Sequence, residues 1–93
     1  MYQREADLTK DVKKYLQTVP NLFFFKASDR FLKGISDILV CYKGAFVAIE
    51  LKAKSKPTIH QEIFIAKVKQ AGGYGAICHN VEEVKNLLSE VDM

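Results

Sequence analysis

Two apolar runs, Ile35 to Tyr42 and Ala45 to Leu51, separated only by Lys43-Gly44, constrain this chain more than any other feature. Each run has the length of a strand, and a two-residue loop ending in glycine joins such arms into a β-hairpin. That loop pairs Tyr42 with Ala45, and counting outward places Asp37 opposite Glu50. Strand side chains alternate faces, so Glu50 and Lys52 share a side, Leu51 points away, and Asp37 joins them from across the ladder. Both arms are apolar on both faces, which predicts central strands covered by helices on each side.

The register brings two carboxylates and an ammonium to one patch. Like charges opposite each other destabilise a sheet, and half-buried carboxylates must either raise their pKa values or recruit a cation. A hard, oxygen-rich site of this kind suits Mg²⁺ or Mn²⁺, bound through one or two carboxylates with room left for water and phosphate oxygens. The chemistry that follows is phosphodiester hydrolysis. The metal polarises the phosphate and acidifies a water, while Lys52 orients that water or stabilises charge developing in the transition state.

Around the hairpin the pattern is regular. Leu8, Val12, Tyr15, Leu16 and Val19 recur at helical spacing from Glu5 to about Val19, with Lys10, Lys13 and Lys14 on the other side. Pro20-Asn21 ends that helix, and the Phe-rich segment Leu22 to Ala27 reads as a strand. Strand alternation in a small domain assigns Phe23, Phe24 and Phe25 to the core rather than to a base-stacking platform. After the Lys-rich loop 53–57, Thr58 with Gln61 forms a capping box opening a helix that runs to about Ala71 and stops at Gly72-Gly73. Tyr74 to His79 is a short strand that a parallel crossover can bring onto the sheet. Asn80 with Glu83 caps a last helix whose inner face is Val81, Val84, Leu87, Leu88 and Val91. The predicted order is αβββαβα, an α/β fold with a four-stranded mixed sheet flanked by helices.

Ninety-three residues suit one domain spanning 1–93, without an internal linker. No apolar stretch approaches the roughly 20 residues of a membrane span. Acids in Met-Tyr-Gln-Arg-Glu-Ala-Asp stand where a signal peptide needs its apolar core, so an intracellular, cytoplasmic setting is expected. Cys41 and Cys78 fall in predicted strands without the paired spacing of a zinc or redox site, and read as buried free thiols. His60 and His79 show no metal spacing. The net charge of +3 is unevenly spread: residues 26–69 hold nine Lys or Arg against four acids, and from residue 70 onward one Lys faces four acids. The basic charge thus belongs to the segment that carries Asp37, Glu50 and Lys52, as suits a polyanion such as nucleic acid.

Gly34-Ile35-Ser36-Asp37, then Glu50-Leu51-Lys52, then Gln61 in the next helix, on this order of elements, resemble the PD-(D/E)xK nuclease superfamily, and within it the minimal, stand-alone form of the virus-type replication-repair nuclease (VRR-NUC) family. The resemblance covers nearly the whole chain and implies a restriction-endonuclease-like core. It implies metal binding by Asp37, Glu50 and the Leu51 backbone oxygen, with Lys52 as the catalytic lysine. It also extends to an acid on the first helix and a Gln on the helix after the ExK strand, matched by Glu5 and Gln61, as further catalytic residues, Glu5 toward the metal. Glu5 lies three residues before Leu8 and seven before Val12, which places it on the buried stripe where an acid needs a partner. It is equally where a helix dipole favours an acid, and Gln61 is equally the partner of Thr58 in the capping box. One position departs: the family usually has Pro before the Asp, and this chain has Ser36, which is expected to alter the start of the strand slightly.

Arg30, Lys33, Lys54 and Lys56 flank the hairpin's charged end, where phosphates of a bound duplex would pass and be used for positioning rather than sequence reading. The resulting expectation is a Mg²⁺- or Mn²⁺-dependent DNA endonuclease, selective for branched structures such as Holliday junctions and acting as a homodimer, because one small core leaves little surface for groove readout. Replication or repair proteins are conceivable partners. The alternatives are a less selective nuclease of phage or mobile-element origin, working in the host cell, and a catalytically silent nucleic-acid-binding domain in which Lys52 merely neutralises a carboxylate.

Overall fold

The computed structural model describes all 93 residues. Its elements run α1 (Glu5–Leu16), β1 (Leu22–Lys26), β2 (Ile38–Tyr42), β3 (Ala45–Leu51), α2 (Ile59–Gln70), β4 (Tyr74–Cys78) and α3 (Val81–Val91), the predicted order. The strands form one sheet in the order β1-β2-β3-β4. β1/β2 and β2/β3 are antiparallel, while β3/β4 is parallel and joined through α2. Lys43 and Gly44 both have positive φ, 51° and 85°, the backbone of a tight two-residue hairpin turn, and Tyr42 pairs with Ala45.

Local chemistry sets the element ends. α1 stops at Leu16, short of the expected Val19, because Thr18 and Val19 donate to Tyr15 and Leu16 in the tighter i to i−3 pattern ahead of Pro20. Thr58 and Gln61 complete the capping box of α2: Gln61 N–H donates to Thr58 Oγ1, and Thr58 N–H donates to Gln61 Oε1 at 2.8 Å. Asn80 Oδ1 accepts from Glu83 N–H, but the Glu83 carboxylate accepts from His79 N–H, one residue outside the cap.

A single core lies between the sheet and the α1/α3 layer. Leu8, Val12 and Leu16 of α1 and Val84, Leu87 and Leu88 of α3 meet Ile38, Val40 and Tyr42 of β2 and Val47, Ile49 and Leu51 of β3. By alternation, Ala48 and Glu50 face the other side, where α2 lies; its Ile65 is against Gly75 of β4. α2 packs chiefly on β3 and β4. The expectation that both hairpin arms are covered on two faces therefore fails near the turn, at Cys41 of β2 and Phe46 of β3, while Leu39 and Ala48 farther along are buried, and β1 is bare on the same face. Phe23 and Phe25 are 69% and 50% exposed, and Phe46 is 48% exposed. Only Phe24 of the three consecutive phenylalanines joins the core, so the assignment of the whole run to the interior is corrected. Cys41, expected as a buried thiol, is exposed on this uncovered half, whereas Cys78 is buried and its thiol is pushed up to about 12 by burial. No helix is long and apolar enough to cross a membrane.

Candidate active site

The second strand is shorter than its apolar pattern. It starts at Ile38, not Ile35, and Asp37 lies just beyond its end. Two contacts explain this. Gly34, with φ +77°, lies so close to α2 that an added Cβ would fall 2.1 Å from the His60 carbonyl oxygen, which fixes the path of the chain into the strand. Asp37 then replaces a rung of the ladder. Its Oδ2 accepts the Leu51 N–H at 2.8 Å, while its own backbone oxygen accepts from Ala27 N–H at 2.8 Å. The pairing from Tyr42–Ala45 out to Ile38–Ile49 carries the register toward Asp37 and Glu50 as counted from the sequence. Ser36, the departure from the resembled pattern, is 1% exposed, and its hydroxyl has no hydrogen-bond partner.

Glu50 occupies an unusual environment for an acid. It is 1% exposed, and its Oε1 has no hydrogen-bond partner. Its other oxygen lies 3.7 Å from Lys52 Nζ. Burial, and after it the neighbouring Asp37 charge, push Glu50 up to about 7, with Lys52 only partly opposing them. A buried carboxylate left short of partners beside a second carboxylate is a ready recipient for a cation. No three His, Cys, Asp or Glu side chains form a closed cage. The donor set is two carboxylates at a strand end, which fits a small hard ion that retains much of its water rather than zinc. Asp37, Glu50 and the Leu51 carbonyl are the groups that would hold it.

Lys52 is mostly buried and reaches 4.0 Å from Glu5 Oε1. Glu5 itself is a correction. Although it opens α1 one turn before Leu8, its side chain is 46% exposed and not on the buried stripe, because its carboxylate turns to Ser55 in the loop after β3 rather than into the core. It does find partners, accepting from Ser55 Oγ at 3.1 Å and facing Lys52. Gln61 lies beside the Gly34 turn, with its carboxamide oxygen committed to the capping box. Arg30 and Lys33 are exposed on the loop between β1 and β2, with Arg30 over the Phe31 ring. Lys54 borders a shallow cleft with Glu5 and Ser55, and Lys56 is exposed. His79 is engaged by Glu83, its ring Nδ1 3.0 Å from the Glu83 carboxylate.

A larger cleft of about 380 Å³ is lined by Asp37 and Glu5 together with Ala6, Thr9, Lys13 and Lys26. None of the four cations first placed around the hairpin lines it. The two that do were legible only as a helix's polar face and a strand terminus.

No protein-family model and no curated protein matches the chain. Among solved structures it is similar to one described as a VRR_NUC domain, at 22% identity and a TM-score of 0.76, with 91% of this chain and 94% of that chain covered. With that coverage, and with three helices and a four-stranded mixed sheet in the order αβββαβα, the chain has the restriction-endonuclease-like fold of a VRR_NUC domain.

Proposed function

We propose that this protein is a nuclease of the PD-(D/E)xK type, a divalent-metal-dependent DNA endonuclease with Asp37, Glu50 and Lys52 at its centre. The observation that carries the reading is the buried Glu50 carboxylate with an unpartnered oxygen, next to Asp37 and Lys52. A stability-driven core would place an apolar residue there.

When bound, Mg²⁺ or Mn²⁺ supplies Lewis-acid polarisation of the scissile phosphate and neutralises its charge. The protein's own groups do the positioning. Asp37 is locked to β3 by the Leu51 N–H, so its free oxygen has a fixed direction. Lys52 follows Glu50 by two residues on the same face, which keeps its ammonium beside the acids, where it orients the attacking water and stabilises charge on the phosphate. Glu5 holds Lys52 from the helix side, and Gln61 braces the start of α2 next to the turn that feeds Asp37.

The same proposal extends to branched DNA cut by a homodimer. Apart from terminal Met1 and Met93, the exposed large apolar side chains are Phe23, Phe25, Phe31, Leu32, Phe46, Ile59 and Ile63, and α1 and α3 contribute none of them. Leu32, Phe46, Phe64 and Val68 line an apolar hollow of about 350 Å³ beside them. Projecting phenylalanines and a hollow on one face suit a second copy docking about a twofold axis. Paired sites would address two strands of a junction.

The test uses a labelled four-way junction and a matched linear duplex in Mg²⁺, Mn²⁺ or EDTA, with Lys52→Ala in parallel. Metal-dependent junction cutting absent in the variant is expected. Equal cutting of both substrates would remove the structural preference, and tight binding without cleavage in either metal would favour the silent nucleic-acid-binding alternative.

A further inference from the structure

The cleft at Asp37 does not end there. A second hollow of about 460 Å³ follows the outer face of α1, lined by Ala6, Thr9, Lys10, Lys13, Lys14 and Gln17. Ala6, Thr9 and Lys13 line both, so the two hollows adjoin and make a shallow, open groove along α1 from the carboxylates toward its C-terminal end. Its lining combines the small Ala6 and Thr9 with four lysines, Lys10, Lys13, Lys14 and Lys26, against the two carboxylates Glu5 and Asp37. Lys26 closes the near end: it pairs with Ile38 at the margin of the β1/β2 ladder, one residue from Asp37 on the neighbouring strand.

These lysines are uncommitted. The ion pairs of the chain engage Arg4, Lys43, Lys52 and His79, and none engages Lys10, Lys13, Lys14 or Lys26. The acids of α1, by contrast, are each occupied: Glu5 by Ser55 and Lys52, Asp7 by Arg4, and Asp11 by the Tyr2 hydroxyl. With four lysines against the two carboxylates Glu5 and Asp37, the groove presents net positive charge.

We infer that the α1 groove binds the sugar–phosphate backbone of one nucleic-acid strand, with Lys13 and Lys26 on the phosphates nearest the cleaved bond and Lys10 and Lys14 on those beyond. This rests on the nuclease reading of Asp37, Glu50 and Lys52 for the identity of the near end. Dimensions agree: α1 is 12 residues long, about 18 Å at 1.5 Å per residue, enough to run beside roughly three successive phosphates, which lie about 6–7 Å apart along a strand. Lysines spaced three and four apart project to one side of the helix, so a single strand can meet all of them. Such contacts fix register without reading bases, as a structure-selective enzyme requires. The groove also lies on the α1 side of the sheet, opposite the apolar β1/β2 half, so both surfaces can be used at once.

The experiment measures binding of a labelled four-way junction and a linear duplex in EDTA, where cleavage plays no part, over a range of salt. Lys13→Gln/Lys26→Gln is compared with the wild-type chain, with Lys54→Gln/Lys56→Gln in the loop, and with Lys69→Gln on the far end of α2; thermal melting checks that each is folded. The groove variant is expected to bind at least about tenfold more weakly near 0.1 M salt, with its log–log salt slope reduced by about 2, while Lys69→Gln is unaffected. Wild-type affinity and slope in a folded groove variant would overturn the inference. So would an equal loss in all three variants, which would mark diffuse attraction. A wild-type chain that never cleaves in Mg²⁺ or Mn²⁺ sinks the nuclease reading, and the EDTA binding result stands apart from it.

Discussion

The Asp37 carboxylate accepts the Leu51 backbone N–H at 2.8 Å, a side chain standing where the next carbonyl of the ladder would be. One residue thereby ends a strand, closes a hydrogen bond inside the sheet and presents a charge to the cleft. Fold and site are coupled at this atom pair.

That coupling separates two substitutions. Asp37→Asn keeps an acceptor for Leu51 N–H, whereas Asp37→Ala leaves that buried donor unpaired at a cost of about 1–3 kcal/mol. Both relieve the repulsion on Glu50, so the difference between the two isolates the hydrogen bond. Denaturant unfolding should rank Asn above Ala, while cleavage assays should find both inactive; equal stability of the two would contradict the structural role.

Glu50 gives the chain a pH dependence of known sign. Its folded pKa of about 7 lies above the ordinary 4.5, so the folded state retains a proton that the unfolded chain releases first. The stability this contributes is complete below about pH 4.5, falls as pH rises through about 7, and is flat above, amounting to at most about 3 kcal/mol. In EDTA, Glu50→Gln should melt progressively higher than the wild type between pH 5 and 8. Added Mg²⁺ should raise the wild-type melting temperature most at the alkaline end, because a bound cation and a proton compete for the same oxygens. Parallel pH curves for the two proteins would refute this account.

Gly34→Ala tests the approach of the loop to α2. The added methyl would meet the His60 carbonyl at 2.1 Å and adopt a φ of +77°, and no flexible side chain is there to yield. A loss of roughly 2 kcal/mol or more in chemical denaturation is expected, with reduced cleavage because Asp37 follows three residues later. A wild-type unfolding midpoint would show that the loop relaxes freely.

The uncovered sheet face predicts its own phenotype. Phe23→Ser with Phe46→Ser removes exposed apolar surface, so monomer stability should change by less than about 1 kcal/mol. Sedimentation should shift from dimer to monomer, and junction cutting should fall more than duplex binding. A monomeric wild-type chain at micromolar concentration would end the dimer proposal.

Much of this was legible in the residues because it is local. Lys43-Gly44 set the hairpin and hence the register that brings Asp37 toward Glu50, and the Thr58 and Asn80 caps marked the starts of two helices. The apolar stripe of α1 reported its buried face at Leu8, Val12 and Leu16. The nuclease resemblance followed from the same short segments, and the fold agrees with it.

Other features depend on what lies across the sheet, and alternation along a strand cannot report that. Phe23, Phe25 and Cys41 read as core, yet α2 packs chiefly on β3 and β4 and leaves them bare. Glu5 read as buried, yet its carboxylate is half exposed and meets Ser55 and Lys52 from other elements. Lys13 and Lys26 belong to segments read as a solvated helix face and a strand end, and only the docking of α1 against the sheet makes them neighbours of Asp37. Sequence by itself determined the elements, their register and the acids and lysine at the hairpin's end, because those depend on contacts within a few residues or across one turn. Tertiary structure alone decided which faces are covered, how deeply Glu50 is buried and where the groove runs, because these follow from how separate elements pack together.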